Sequence, residues 1–63
     1  MTERAKKLYL SAINNREFID EFKDAGQRVP SRILADDLEK HLFAAVYLGW
    51  LIAKYGNDYE ANI

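Results

Sequence analysis

Two stretches in the first half of the chain repeat their apolar residues at helical spacing. From Ala5 to Ile13 the apolar positions fall at i, i+3, i+4, i+7 and i+8, which places them on one helix face. Thr2 stands where an N-cap is expected. A second apolar face runs through residues 16–25, and Gly26 comes next as a stop signal. The pattern therefore predicts two short amphipathic helices.

The boundary between these two helices is predicted at Asn14 and Asn15. Asparagine side chains compete for backbone hydrogen bonds, so this pair can end one helix and cap the next. One bent helix over residues 3–25 would also keep an approximate apolar stripe, with Asn15 inside it. The sequence leaves both arrangements open.

A third, longer helix is predicted after the segment Gln27 to Pro30. Pro30 disfavours a helical conformation at the residue before it, so the chain turns here, and Ser31 can cap the third helix. Nothing interrupts the pattern from residue 32 to residue 55, and Gly56 is typical of a helix end. We expect one helical domain over residues 1–56 and a flexible polar tail over residues 57–63.

These elements predict an all-α fold in which two short helices pack on one long C-terminal helix, as a three-helix hairpin or bundle completed by dimerisation. Read at 100° per residue, the third helix has one side typical of a core stripe. The members of this expected core stripe are Leu34, Leu38, Leu42, Ala45, Leu48, Gly49 and Ile52.

The same helix carries a second apolar group on its opposite side, where its second half should be polar. The members of this aromatic group are Phe43, Tyr47, Trp50 and Leu51. Two short helices offer too few large side chains to cover both sides, so we expect the aromatic group to point outward as a protein–protein interface. A homodimer is the expected assembly, because two-fold dimers are the commonest. The alternative is that the first two helices wrap further round and bury Tyr47 and Trp50.

Small residues recur every fourth position in the third helix, at Ala45, Gly49 and Ala53. Glycine inside a helix costs about 1 kcal/mol relative to alanine, so its presence suggests a close helix crossing. We expect this row of small residues to pack against the first or second helix. The alternative is that it packs against a dimer mate.

Composition excludes several classes of protein. The chain has 63 residues with 9 Lys and Arg, 10 Asp and Glu, one His and no Cys. It is one domain without disulfides or thiolate-bound metal, and it is too apolar to be disordered. A domain this small gains only about 3–5 kcal/mol from a single core, which favours dense packing or a partner. The start of the sequence has no apolar run typical of a signal peptide. The longest apolar stretch of the chain, Leu42 to Ala53, is too short to span a membrane. We therefore expect a cytoplasmic protein without membrane contact.

Candidate catalytic and ligand-binding chemistry is sparse. His41 lies four residues after Asp37, where the two can pair along one helix face, but no second His or Cys completes a metal site. The three glycines stand apart at positions 26, 49 and 56, so no phosphate-binding loop is present. We expect no enzyme activity, no metal and no cofactor.

DNA binding is the alternative function. The second and third helices, joined across Gly26, resemble a helix-turn-helix, with Arg28 and Arg32 as the possible nucleic-acid contacts. The connection is longer than usual, and Asp36, Asp37 and Glu39 would repel phosphates.

The compact, cysteine-free helical chain resembles, in size and style, the small early or accessory proteins of temperate bacteriophages. The resemblance assigns no site residues, and it implies a modulator of host or phage regulation that acts by protein contact. The expected function is therefore that of a small regulatory module that acts by helix-mediated self-association and partner binding.

Overall fold

A computed structural model describes residues 1–56, which form three helices. These are α1 (Glu3–Asn14), α2 (Arg16–Asp24) and α3 (Asp37–Tyr55). Helices α1 and α2 pack against the longer α3, so the predicted all-α architecture is confirmed. The expected flexible tail, residues 57–63, lies outside the described residues.

Helices α1 and α2 are separate, with their boundary at Asn15. Its backbone is extended (φ −91°, ψ 100°), and its Oδ1 accepts a hydrogen bond of 3.1 Å from the N–H of Phe18 at the start of α2. Thr2 caps α1 in the same way, since its Oγ1 accepts from the N–H of Ala5 at 3.1 Å. Both caps were predicted, and the single bent helix is wrong.

The third helix begins five residues later than predicted, because Asp36 and not Ser31 is its N-cap. The Asp36 Oδ1 accepts from the N–H of Glu39 at 2.8 Å, and acidic residues in the first turn suit the positive end of the helix dipole. The Ser31 Oγ instead accepts from the N–H groups of Ile33 and Leu34, which closes a turn over residues 32–34. At the other end Gly56 comes after Tyr55 with φ 64°, as predicted for a helix end.

The core is built around aromatic rings contributed by all three helices. Phe18 of α2 is its centre, with its ring centroid 4.9 Å from that of Tyr47 and 5.3 Å from that of Phe43. Such tilted and edge-on ring pairs add to the burial of a large apolar surface. The buried cluster consists of Leu8, Tyr9, Ala12, Phe18, Phe43, Ala44, Tyr47 and Leu51.

The side of α3 that faces this core is the reverse of the predicted one. The aromatic group is inside, and the expected core stripe is outside except for Leu48, which is half-buried and packs against the cluster. The physical reason is the kind of side chain that α1 and α2 direct toward α3. Phe18 and Phe22 of α2 and Tyr9 of α1 present rings, and rings on α3 pack against them face to edge.

Candidate interaction surface

Three of the four residues predicted as an outward-facing interface are buried in the core and the fourth, Trp50, packs against it, so that prediction is wrong. Tyr47 is 1% exposed and Leu51 is 0% exposed, and Phe43 is also buried. Trp50 is half-buried, stacked on Tyr47 at 5.9 Å between ring centroids and edge-on to Phe18 at 5.4 Å. Phe43, Tyr47 and Leu51 offer no free docking surface, because α1 and α2 already cover them.

The opposite side of α3 is exposed and apolar, and we call it the outer face. Leu38 is 69% exposed and Leu42 is 60% exposed, although both were predicted to lie in the core. The outer face consists of Leu38, Leu42, Ala45, Val46, Gly49, Ile52 and Ala53. The surplus of apolar surface predicted for this helix therefore exists, on the other side of the helix.

Two acidic side chains of α3 lie at its edges and contact other parts of the chain. The Asp37 carboxylate is 3.6 Å from the N-terminal ammonium of Met1. The Glu39 carboxylate is 3.7 Å from the guanidinium of Arg28 in the connection between α2 and α3. Both carboxylates are thereby directed toward the rest of the monomer.

The two lysines of α3 also contact other side chains of the monomer. The ammonium of Lys40 lies over the ring of Tyr9, 5.7 Å from its centroid. The ammonium of Lys54 lies over the ring of Trp50 at 5.1 Å and donates a hydrogen bond to the carboxylate of Glu17 on α2, which raises the pKa of Lys54 above its ordinary value. Asp37 and Glu39 thus lie at the edges of α3, and Lys40 and Lys54 lie on its core-facing side near the two ends. The outer face itself contains no Asp, Glu, Lys or Arg.

The small residues of α3 do not pack against α1 or α2, so that expectation is wrong. Ala45 and Ala53 are exposed, and a Cβ built on Gly49 would meet nothing within 4 Å. The monomer therefore gives no packing reason for glycine at this position. A crossing with a dimer mate, the alternative considered for this row, stays a prediction.

Two more exposed aliphatic side chains lie in the turn just before α3. Ile33 is 90% exposed and Leu34 is 84% exposed. Leu34 was expected in the core as part of a longer helix, but the chain is not yet helical at this point. The turn extends the apolar surface of the molecule beyond the N-terminal end of α3.

His41 and Asp37 are close, but not through their side chains. The Nδ1 of His41 lies 2.8 Å from the backbone oxygen of Asp37, and both residues are exposed. Within residues 1–56 no group of three His, Cys, Asp or Glu side chains could hold a metal ion. No helix in that range is long and apolar enough to cross a membrane.

Arg28 and Arg32, the possible nucleic-acid contacts, lie in the connection between α2 and α3. This connection covers residues 25–36, and its helices are not joined by the three- or four-residue turn of a helix-turn-helix. The guanidinium of Arg28 is paired with Glu39. DNA binding stays a prediction that this geometry does not favour.

Sequence reasoning missed Val46, which belongs to the outer face, and Ile33 in the preceding turn. The signal that could have found them is the position of charge. Glu39, Lys40 and Lys54 flank the aromatic side of α3, where their aliphatic stems can lie along the core and their charged ends can reach its rim. An uncharged helix side suggests burial, but here it marks the side that α1 and α2 leave open.

Comparison of the chain with protein-family models, curated proteins and solved structures finds no significant match.

Proposed function

We propose that the protein is a contact module whose working surface is the outer face of α3, acting by self-association and partner binding rather than by turnover. The observation that supports this most directly is the distribution of charge on α3. Asp37 and Glu39 lie at its edges and Lys40 and Lys54 on its core-facing side, while seven apolar residues are exposed on the opposite side. A contiguous exposed apolar surface rimmed by polar groups is typical of a protein–protein interaction site.

The energetics favour association of useful but limited strength. The four large side chains of the outer face have exposed fractions between 46% and 69%, so two copies expose the equivalent of about four to five whole side chains. Burying these would contribute about 7–13 kcal/mol, against an association cost of about 4–15 kcal/mol. A dissociation constant in the micromolar range or weaker is therefore expected, which suits a reversible regulatory contact.

The test is the mass of the protein in solution across a dilution series from about 1 µM to about 1 mM. We expect a dimer at the high end that dissociates on dilution. Leu42→Glu should weaken association at least about 100-fold, because it removes an apolar side chain and would bury an unpaired carboxylate. Circular dichroism should show unchanged helix content, since Leu42 is mostly exposed in the monomer.

Gln27→Glu is the matched control, because it adds the same charge at an exposed position outside α3. It should leave the mass distribution as in the unaltered protein. A monomeric mass at every concentration, or equal behaviour of the two variants, would contradict the proposal. The proposed regulatory role is in host or phage regulation, as the resemblance implies. Identifying the protein that binds this chain tests that part of the proposal.

A further inference from the structure

We infer that the outer face is covered by a second copy of the chain with the two α3 helices antiparallel, so that Leu38 of one copy packs against Gly49 of the other. This inference rests on the proposed function and adds to it the occupant, its orientation and its register. It is based on the order of large and small residues along the outer face and on the area that the face exposes.

The central residues of the outer face have the spacing of a helix-pairing seam. Leu38, Leu42, Ala45, Gly49 and Ile52 succeed one another at alternating intervals of four and three residues. This heptad spacing keeps one side of a helix in contact with a neighbouring helix over successive turns. The seam is exposed along its whole length, so a second helix can reach each of these positions.

The seam is large at its beginning and small in its middle, and this order selects the antiparallel orientation. Antiparallel pairing with position 38 opposite position 49 also brings 42 opposite 45, so each layer combines one leucine with one small residue. The layers then have similar volumes, and the helices can keep one close distance. Leu38 and Leu42 fill the space that Ala45 and Gly49 leave.

A parallel pair would be poorly filled. Leu42 would meet Leu42, while Gly49 would meet Gly49 in a later layer along the seam. The leucine layers would hold the helices apart, and the glycine layer would then leave a void, which is destabilising in a close-packed interface. The two acidic starts of α3, with Asp36 and Asp37, would also lie side by side. The antiparallel arrangement separates them by most of the helix length.

The same register accounts for the exposed turn before α3. In this register Ile52 of one copy lies next to the N-terminal end of α3 of the other, close to the exposed Ile33 and Leu34 that precede that helix. The six large side chains of the turn and outer face have exposed fractions of 46–90%, which together equal about four whole aliphatic side chains.

The area is sufficient for a small dimer. Four whole aliphatic side chains carry about 400 Å² of apolar surface. A standard interface buries about 800 Å² per partner, of which about 65%, or about 500 Å², is apolar in homodimers. Ala45, Ala53 and the backbone at Gly49 are also exposed and supply the remainder.

Disulfide trapping tests the orientation directly, because the chain has no cysteine of its own. Leu38→Cys and Gly49→Cys variants are mixed under mild oxidation, and each is also oxidised alone. We expect the mixed disulfide to dominate, since the inferred register places the two sulfurs in one layer. Leu38→Cys alone should stay unlinked, because eleven residues of helix separate position 38 from its own copy by about 16 Å. Asp24→Cys, at the exposed end of α2, measures random collision.

Each result decides a separate point. A self-linked Leu38→Cys dimer would overturn the antiparallel orientation while leaving the proposed function in place. A dimeric mass with neither disulfide above the Asp24→Cys level would overturn the register. A monomeric mass at all concentrations would overturn this inference together with the proposed function. Circular dichroism of each variant checks that the monomer still folds, as expected for two exposed positions.

Discussion

At the scale of single residues, two buried tyrosines differ in whether the hydroxyl group has a hydrogen-bond partner. The Tyr47 hydroxyl accepts a hydrogen bond of 3.1 Å from Nδ2 of Asn15, the residue that also caps α2. This contact ties the junction of α1 and α2 to the middle of α3. The Tyr9 hydroxyl is buried and has no hydrogen-bond partner among the described residues. A buried polar atom without a partner costs stability, whereas a paired one does not.

Conversion of each tyrosine to phenylalanine should therefore have opposite effects. We expect Tyr47→Phe to lower the free energy of unfolding by about 1 kcal/mol, because it leaves the amide of Asn15 without its acceptor. Tyr9→Phe should be neutral or stabilising by up to about 1 kcal/mol, because it removes an unpaired hydroxyl. Urea denaturation of the two variants measures the difference. Equal effects would show that the Asn15 contact contributes nothing to stability.

At the scale of elements, α3 differs from α1 and α2 in having two apolar sides. Helix α1 has buried residues at Leu8, Tyr9 and Ala12 on one face, as its spacing predicted. Helix α3 buries Phe43, Ala44, Tyr47 and Leu51 and exposes an uncharged face behind them. Both sides of α3 repeat at helical spacing. Periodicity therefore identified the helix and its two sides, but did not distinguish the buried side from the exposed one.

Gly49 provides a prediction at this scale. In the isolated monomer Gly49→Ala should raise the free energy of unfolding by about 1 kcal/mol, since alanine favours the helix and its Cβ would meet no neighbour. In the inferred dimer the added methyl group would meet Leu38 of the second copy, and association should weaken about tenfold. Thermal denaturation at low concentration and sedimentation at high concentration measure the two effects separately. Tighter association of this variant would refute a close approach at position 49.

At the scale of the whole molecule, the fold is two helix layers thick and no third layer covers α3 within the described residues. The Cα positions extend over 31 × 29 × 15 Å, so the shortest dimension holds only α3 and the layer of α1 and α2. A domain of this size gains only about 3–5 kcal/mol from its core. Its stability therefore depends on a few fully buried side chains, among them Phe18, Tyr47 and Leu51.

The same substitution on the two sides of α3 should separate core from surface. Leu51→Ala should cost about 2–5 kcal/mol, which is comparable to the whole stability expected of a domain this small. Leu38→Ala should change the free energy of unfolding by less than about 0.5 kcal/mol when measured below the concentration at which the protein associates. Urea denaturation followed by circular dichroism gives both values. A comparable cost at Leu38 under dilute conditions would place the outer face within the core of the monomer.

The sequence by itself determined the local structure of this protein. Asn15 and Gly26 bound α2, Thr2 begins α1 and Gly56 ends α3, because caps and stop residues act on the backbone within one turn. The sequence also showed that α3 has more apolar positions than α1 and α2 can cover, because this requires only comparing the number of apolar positions on the three helices. The start of α3 was misplaced because Ser31 and Asp36 are both good caps, and only the backbone path chose between them.

The tertiary structure alone decided which side of α3 is buried. That choice depends on Phe18, Phe22 and Tyr9, which are distant in sequence and whose rings pack against Phe43, Tyr47 and Trp50. Helical spacing records which residues share a side but holds no information about the shape of the surface opposite. The candidate interaction surface is therefore the outer face and not the aromatic side. The aromatic rings of α3 pack against the aromatic rings of α1 and α2, and this leaves the aliphatic side of α3 uncovered.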